Sequence, residues 1–424
     1  MADVQWAFIS TATVALAHLL LRTILGRDLG PEGLGIYTLA FTTYLIGVQF
    51  AAFGTGSALT KFVAEHLEDR GTVQQYISSG MLSSIITGAA MGAILFLLAP
   101  FIAVSFFHTP ALESMIQLTA VCYPFIAVQK AVLGTFNGFR RMKPYAFLNI
   151  SQNVSIVVVS VLLVSAANMG VMGGVIGYVA PTILISALCP LMIRDWINGG
   201  CGWWNLPALR VTTAFGFYIL LGDSIAYLNT QIDSILIGYY MSPTDVGIFS
   251  VAILFVQVLA LIPSAVQQVT MPVTATMFGR GDRAGATKLF YATLKKSIVI
   301  TLAIAVAIAL AAPYIIPTLF SDDYLTAYLP LLILLPGYAL GSSFIAVGAT
   351  LFSIGKERIP FRISAVSVVL SVVLNIILIP YLGLYGAALA TSITMAFNFA
   401  LRFVVTKHLL EQAENTKASI VESL

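Results

Sequence analysis

Residues Gly30 to Tyr37 read Gly-Pro-Glu-Gly-Leu-Gly-Ile-Tyr, and residues Ser242 to Phe249 read Ser-Pro-Thr-Asp-Val-Gly-Ile-Phe. Pro31 stands over Pro243 and Gly35 over Gly247. A nearly constant shift also lays Asn137-Gly138 through Pro144 over Ile354-Gly355 through Pro360, and Gly170-Val-Met-Gly-Gly over Gly383-Leu-Tyr-Gly-Ala. Glycine and proline recur in the loops of any membrane protein, so one such match carries nothing. Three matches in order, at nearly one offset, read as an internal duplication.

The nature of the repeated unit follows from its solvent. Of 424 residues, 59% are hydrophobic and only 9% are charged, where a soluble domain carries about a quarter charged residues. That is too little charge to cover a soluble globule of this size, and lipid tolerates the surplus apolar surface. A bilayer span needs about 20 apolar residues in a helix. Windows of that kind fall at 5–25, 34–58, 76–99, 112–134, 145–167, 171–193, 212–239, 246–270, 289–318, 326–353, 361–381 and 384–408. The expectation is therefore an all-α polytopic membrane protein of about twelve helices, with no hydrophilic stretch between them long enough for a folded domain. Six helices per repeat is an even number, so both copies insert in the same sense. They form two six-helix lobes, 1–200 and 201–410, related by a pseudo-two-fold along the membrane normal with a cleft between them, followed by a tail, 411–424. The first run, from Trp6 to Leu25, has no preceding Lys or Arg and no small-residue cleavage motif. It reads as a retained helix rather than a signal peptide.

Lys and Arg in the short loops orient the chain. Lys61 and Arg70 follow the second span, Arg140, Arg141 and Lys143 the fourth, and Arg194 and Arg210 the sixth. Arg280, Arg283 and Lys288 follow the eighth, Lys356 and Arg358 the tenth, and Lys407 and Lys417 stand in the tail. The opposite loops hold Asp245, Asp322 and Asp323, with Arg22 and Arg27 as the exceptions. The positive-inside rule then makes both termini cytoplasmic in a cell-membrane protein. The net charge of +3 is too small and too dispersed for a nucleic-acid partner. Cys122, Cys189 and Cys201 lie far apart without metal or redox spacing and read as packing residues. There is no His-Glu-x-x-His, no phosphate-binding Gly-Lys-Ser/Thr loop and no Gly-x-Ser-x-Gly. The sequence thus predicts no enzyme, no metal and no cofactor.

What remains for function is the set of polar groups at membrane depth. An ionisable side chain in hydrocarbon costs on the order of 2.5–3.5 kcal/mol on insertion scales, so such groups usually face a wet interior. Thr11, Ala15, His18 and Arg22 share one face of the first helix, and Asp223, Tyr227, Thr230 and Ser234 one face of the seventh. The shift that aligns the prolines aligns these two faces, and Gln231 and Asp233 flank the second. Both faces are expected to line the cleft. Two readings stand for Arg22, a cleft cation or a side chain snorkelling to the headgroups. The same two stand for Lys130, which shares a seven-residue stripe with Tyr123 and Asn137. His18 reads equally as a ligand or as a hydrogen-bonded packing residue. Gln257, Ser264, Gln268 and Met271 form a polar stripe on the eighth helix, where Pro263 predicts a kink. Asn149, Asn153 and Ser160, then Ser364, Ser371 and Asn375, then Asn398 and Arg402, read mainly as interhelical hydrogen bonds. Gly80, Ser84 and Gly88 read as close helix packing.

Residues 22–76, from Arg22-Thr-Ile-Leu-Gly-Arg-Asp-Leu-Gly-Pro through Lys61-Phe-Val-Ala-Glu65, resemble the opening of the polysaccharide biosynthesis (oligosaccharide flippase) family. Asp233-Ser-Ile-Leu-Ile-Gly238, Val246-Gly-Ile-Phe249 and Leu374-Asn-Ile-Ile-Leu-Ile-Pro380 with Gly383 to Ala390 resemble its later segments. The family belongs to the multidrug/oligosaccharidyl-lipid/polysaccharide exporter superfamily, with the MATE transporters and the lipid II flippases. The resemblance implies a V-shaped two-lobe transporter that moves isoprenoid-linked oligosaccharide to the outer leaflet by alternating access. Cleft cations would hold the substrate's phosphates, which makes Arg22, Lys130 and a protonated His18 the candidates. Tyr227, Gln257 and Gln268 complete the candidate substrate face, and Asp223 and Asp233 are candidates for coupling to H+ or Na+. Membrane lipids and the glycosyltransferases and polymerase of the same pathway are the implied partners. A cation-coupled multidrug or metabolite exporter on the same scaffold is the rival reading. A membrane glycosyltransferase or polymerase stands third, with only Asp322-Asp323 as its acidic pair.

Overall fold

The computed structural model describes residues 2–197, 205–354, 356 and 358–422; Cys201 and Gly355 lie outside them. Among the described residues every regular element is a helix: α1 Ala2–Ala52, α2 Thr55–Glu65, α3 Arg70–Pro100, α4 Leu112–Ala120, α5 Tyr123–Gly138, α6 Met142–Val161, α7 Gly170–Leu188 and α8 Arg194–Ile197. There follow α9 Leu206–Tyr240, α10 Pro243–Gln257, α11 Leu261–Gly279, α12 Arg283–Leu319, α13 Tyr328–Ser343, α14 Ala349–Ser353, α15 Arg358–Leu382 and α16 Leu384–Glu422.

Among the described residues, nine helical stretches are long and apolar enough to cross a bilayer, and two further spans are bent pairs, α4 with α5 and the two parts of α9. The first stretch is itself two spans, because α1 breaks at Gly30, whose φ of 67° and ψ of −179° are not helical. Each of the twelve expected segments therefore has a helical counterpart. Only a residue without Cβ enters such a conformation cheaply, and Pro31 then restarts the helix with its φ already set. The repeat is visible at this level too. Gly170 and Gly383, aligned by sequence, adopt φ of 58° and 57°, each just ahead of a span.

Large apolar side chains point outward. Leu97, Phe101, Leu310 and Val369 are all exposed, the reverse of a soluble protein and the surface a bilayer requires. The chain divides into two compact units. The first comprises residues 1–228 with 242–247, and its core packs Leu59, Val63, Ile77, Met81, Ala131 and Phe136 from α2, α3 and α5. Gly88 in this unit sits against the backbone of Tyr123 and Pro124, the close approach its small-residue pattern predicts. The second comprises 229–241 with 248–424, and Phe290, Leu294, Phe344, Val347 and Leu410 form a core cluster in it. There the kink expected at Pro263 is a 3-10 turn, Val258–Ala260, that ends α10 just before the proline enters the first turn of α11.

The two copies of the opening motif touch each other inside the first unit. A Cβ on Gly35 would lie 1.7 Å from the Pro243 carbonyl oxygen, and one on Gly247 would lie 1.9 Å from that of Pro31. The contact is reciprocal, proline of one copy against glycine of the other. No side chain larger than hydrogen fits at either position.

Candidate functional site

The first unit encloses a cavity of about 580 Å³, within the roughly 300–1,000 Å³ range of ligand pockets. Five elements and the start of a sixth build its wall. α1 supplies His18 from its first half and Tyr44 and Gln49 from its second; α5 supplies Lys130; α6 supplies Asn149, Gln152 and Asn153; α7 supplies Tyr178. Gly56 and Ser57 of α2 form part of the rim, and α9 closes the wall with Asp223 and Tyr227, one helical turn apart.

Lys130 and Asp223 are both exposed side chains, and each feels the charge of the other across the cavity. Neither points to lipid or is sealed in packing. This placement arises because Lys130 sits among apolar α5 neighbours, while Asp223 lies just before the bend of 47° that divides α9. His18 is half-buried, hydrogen-bonds Asn153, and stands 6.2 Å from the Phe41 ring. Tyr227 hydrogen-bonds Gln49. Tyr44 and Tyr178 of the wall join Phe41, Tyr37 and Tyr123 in a continuous aromatic cluster, with ring centroids 5.0–6.1 Å apart. The wall thus offers one fixed cation, one fixed anion, one histidine, several amides and tyrosine faces. That set suits a polar headgroup bearing an anion and hydroxyls.

Of the residues singled out by sequence, His18, Lys130, Asp223 and Tyr227 meet at this cavity. Arg22 lies one turn further along α1, half-buried, off the lining, within electrostatic reach of His18 and Tyr37. Gln257 and Gln268 belong to the second unit, where both are exposed. The stripe of Tyr123, Lys130 and Asn137 does not act together: Tyr123 is fully buried with its hydroxyl 3.3 Å from the Tyr44 carbonyl, and only Lys130 reaches the cavity.

Asp233 occupies a different environment in the second unit. It is 6% exposed. Asn375 Nδ2 donates to one carboxylate oxygen at 2.9 Å and the Thr391 hydroxyl donates to the other at 2.7 Å. Asn375 also donates to the Ser371 carbonyl at 2.9 Å, while its own carbonyl oxygen is buried without a hydrogen bond. Both hydrogen bonds to the carboxylate thus come from neutral side chains. Nearby, Asn398 bonds Ser367 at 2.8 Å and Arg402 bonds Ser364 at 3.1 Å, the interhelical links their positions predict.

Sequence reasoning missed Tyr44, Gln49, Gln152 and Tyr178. Uncharged side chains inside apolar runs give no signal by periodicity, and only the tertiary packing of α1 on α6 and α7 gathers them.

Comparison with known proteins places this architecture. The profile of the polysaccharide biosynthesis protein family matches residues 1–278. The chain belongs to that family. A second profile, MatE, matches residues 219–377 of this polysaccharide biosynthesis family member. Among its relatives, the probable low-salt glycan biosynthesis flippase Agl15 of Haloferax volcanii is 22% identical, over 89% of this chain and 77% of that one. The lipid II flippase MurJ of Bacillus subtilis is 23% identical, again over 89% and 77%. A solved lipid II flippase MurJ in an inward closed conformation superposes with a TM-score of 0.78 at 17% identity, covering 98% of this chain and 91% of that one. An inward-facing multidrug resistance MATE transporter superposes with 0.77 at 17% identity, covering 95% and 96%. The family member described here is a multi-pass all-α membrane protein with the fold of those transporters.

Proposed function

We propose that this protein is a flippase, not an enzyme, that carries isoprenoid-linked oligosaccharide across the cytoplasmic membrane for polysaccharide or glycoconjugate assembly. The observation that supports the reading best is the cavity of the first unit, where Lys130, His18 and the α6 amides stand at membrane depth. Charged side chains there are costly unless a wet polar cargo passes. The cation takes the phosphate, amides and tyrosines take the sugar, and the isoprenoid tail stays in the bilayer. Relatives named as flippases of glycan and lipid II precursors support the same cargo class. Lobes 1–200 and 201–410 alternate access, both termini are cytoplasmic, and enzymes that build and polymerise the glycan work on the same intermediates. Arg22 holds the phosphate as it leaves His18 and Lys130, and Gln257 and Gln268 remain further candidates for cargo binding.

Coupling to H+ or Na+ belongs to Asp233, whose carboxylate is held by Asn375 and Thr391; Asp233 and Asn375 lie within the residues that the MatE profile matches. That same acid favours a second reading, a cation-coupled drug or metabolite exporter. Depleting the protein separates the two. A flippase leaves its lipid-linked intermediate on the inner leaflet, whereas an exporter leaves cells sensitive to small cationic drugs with normal glycan. Depletion with neither the lipid intermediate nor a glycan defect sinks the flippase proposal.

A further inference from the structure

Behind the cavity wall lies a chain of side-chain hydrogen bonds that sequence gave no reason to expect. The Thr182 hydroxyl is 2.7 Å from the Tyr178 carbonyl, and two oxygens at that distance need the hydroxyl proton between them. Thr182 therefore accepts at its other contact, 3.2 Å from Gln152, and the Gln152 atom there must be its amide nitrogen. The remaining Gln152 oxygen accepts from Gln129 Nε2 at 2.8 Å. That leaves the Gln129 oxygen to accept from the Ser186 hydroxyl at 2.8 Å. Each link fixes the next, so the run Ser186 to Gln129 to Gln152 to Thr182 to the Tyr178 carbonyl donates in one direction only.

Exposure tells what the run serves. Gln129, Thr182 and Ser186 are each 0% exposed, whereas Gln152 is 7% exposed and lines the cavity. The Gln152 amide has two N–H groups. One is spent on Thr182, and its oxygen is spent on Gln129. The second N–H is the donor that the run leaves at the cavity, since Gln129, the other amide, does not line it. A glutamine free to turn over would offer the cavity oxygen as readily as nitrogen. This one is locked from both ends.

We propose that Gln152 is a specificity-determining donor that reads an acceptor oxygen of the cargo headgroup, and that Gln129, Thr182 and Ser186 are positioning residues that fix which face of its amide the cavity meets. The assignment rests on the flippase reading and deepens it. An acceptor oxygen beside Lys130 belongs to a phosphate ester or to the sugar carbonyl or ether next to it. The competing account makes the same network simple glue between α5, α6 and α7, worth stability and nothing else.

The test uses the full chain, purified in detergent and reconstituted in phosphatidylethanolamine–phosphatidylglycerol vesicles, with polyprenyl-phosphate-linked N-acetylglucosamine and a small panel of other polyprenyl-linked saccharides as probes. Gln152→Met is expected to weaken probe binding about tenfold, as loss of a hydrogen bond to a charged or strongly polar acceptor does, with the saturated flipping rate little changed. Gln129→Met and Thr182→Val weaken it less, by about threefold, and Thr182→Ser restores it. Gln129→Met combined with Gln152→Met loses no more than Gln152→Met alone, because Gln129 acts only through Gln152. Glue gives the opposite pattern: thermal midpoints fall in every variant, the double variant loses the product of the singles, and binding per folded molecule holds. Binding by Gln152→Met within twofold of wild type overturns the assignment while the flippase reading stands. A wild-type protein that binds none of the panel sinks the reading itself and the assignment with it.

Discussion

Asp223 and Asp233 lie on the same helix, yet one is exposed to the cavity of the first unit and the other is 6% exposed in the second, held by Asn375 and Thr391. Ten residues turn an ideal helix by about 280°, and α9 bends by 47° between them, so the two carboxyls leave the backbone toward different neighbours. Asp223 has Lys130 across open space and can exchange that partner for cargo. Asp233 has neutral donors at fixed short distances, the setting on which its proposed coupling to a proton or small cation rests. The lesson is that residue type and depth do not decide what a membrane acid does. The partners around it differ, and here they differ within one helix.

That contrast can be broken by experiment. Asp233→Asn keeps the size of the side chain and removes the charge, and is expected to lower ion-driven transport on the order of a hundredfold, within the usual range of a coupling energy. Full transport with unchanged ion dependence in vesicles would remove Asp233 from coupling. Lys130→Ala is expected to weaken cargo binding about tenfold, since a charge-assisted contact is lost; a titration of the labelled lipid-linked sugar measures it, and unchanged affinity would leave the cavity without its phosphate ligand. Asp223→Asn frees Lys130 from its opposite charge, so affinity for an anionic headgroup should rise about two- to threefold. A large loss there instead would make Asp223 a coupling acid and erase the difference between the two sites. Arg22→Ala, a turn away from the lining, is expected to cost about twofold in the same titration.

The smallest effect lies outside the membrane. The Asp69 side chain caps α3, accepting from the Thr72 hydroxyl and from the backbone N–H groups of Thr72 and Gly71. Those bonds, the Thr72 hydroxyl foremost, hold its carboxyl below the usual carboxylate range. A lowered acid stabilises the fold above its unfolded value and loses that contribution as pH falls through the lowered one. Asp69→Ala should therefore lower the thermal midpoint slightly at neutral pH and not at strongly acid pH, without altering transport.

The fold was legible because its determinants are local. Apolar runs set the spans, and Gly30-Pro31 marked the break in α1; Gly170 and Gly383 were legible as matching landmarks, their positive φ only in the structure. The ionic part of the site was legible for the same reason, since His18, Lys130 and Asp223 stand out against apolar neighbours. Gln129 and Gln152 were not legible. An amide at a buried helical position looks the same whether it glues two helices or presents an N–H to a cavity, and only the partners' geometry separates the cases. Gln257 and Gln268 drew notice as a stripe on one helix, which says nothing of whether that stripe meets a cavity.

The crossing of Gly35 with Gly247 has one more implication. Each glycine is hemmed in by the proline carbonyl of the other copy, so neither sequence can drift at this spot on its own account. Duplicated segments normally diverge freely once they are separate stretches of one polypeptide. Here an added methyl on either side collides with main chain, which no rotamer change relieves, and a second substitution on the opposite side leaves the collision in place. Wherever else the two motif copies differ, substitution at this knot is closed to both, so the matching glycines constrain each other.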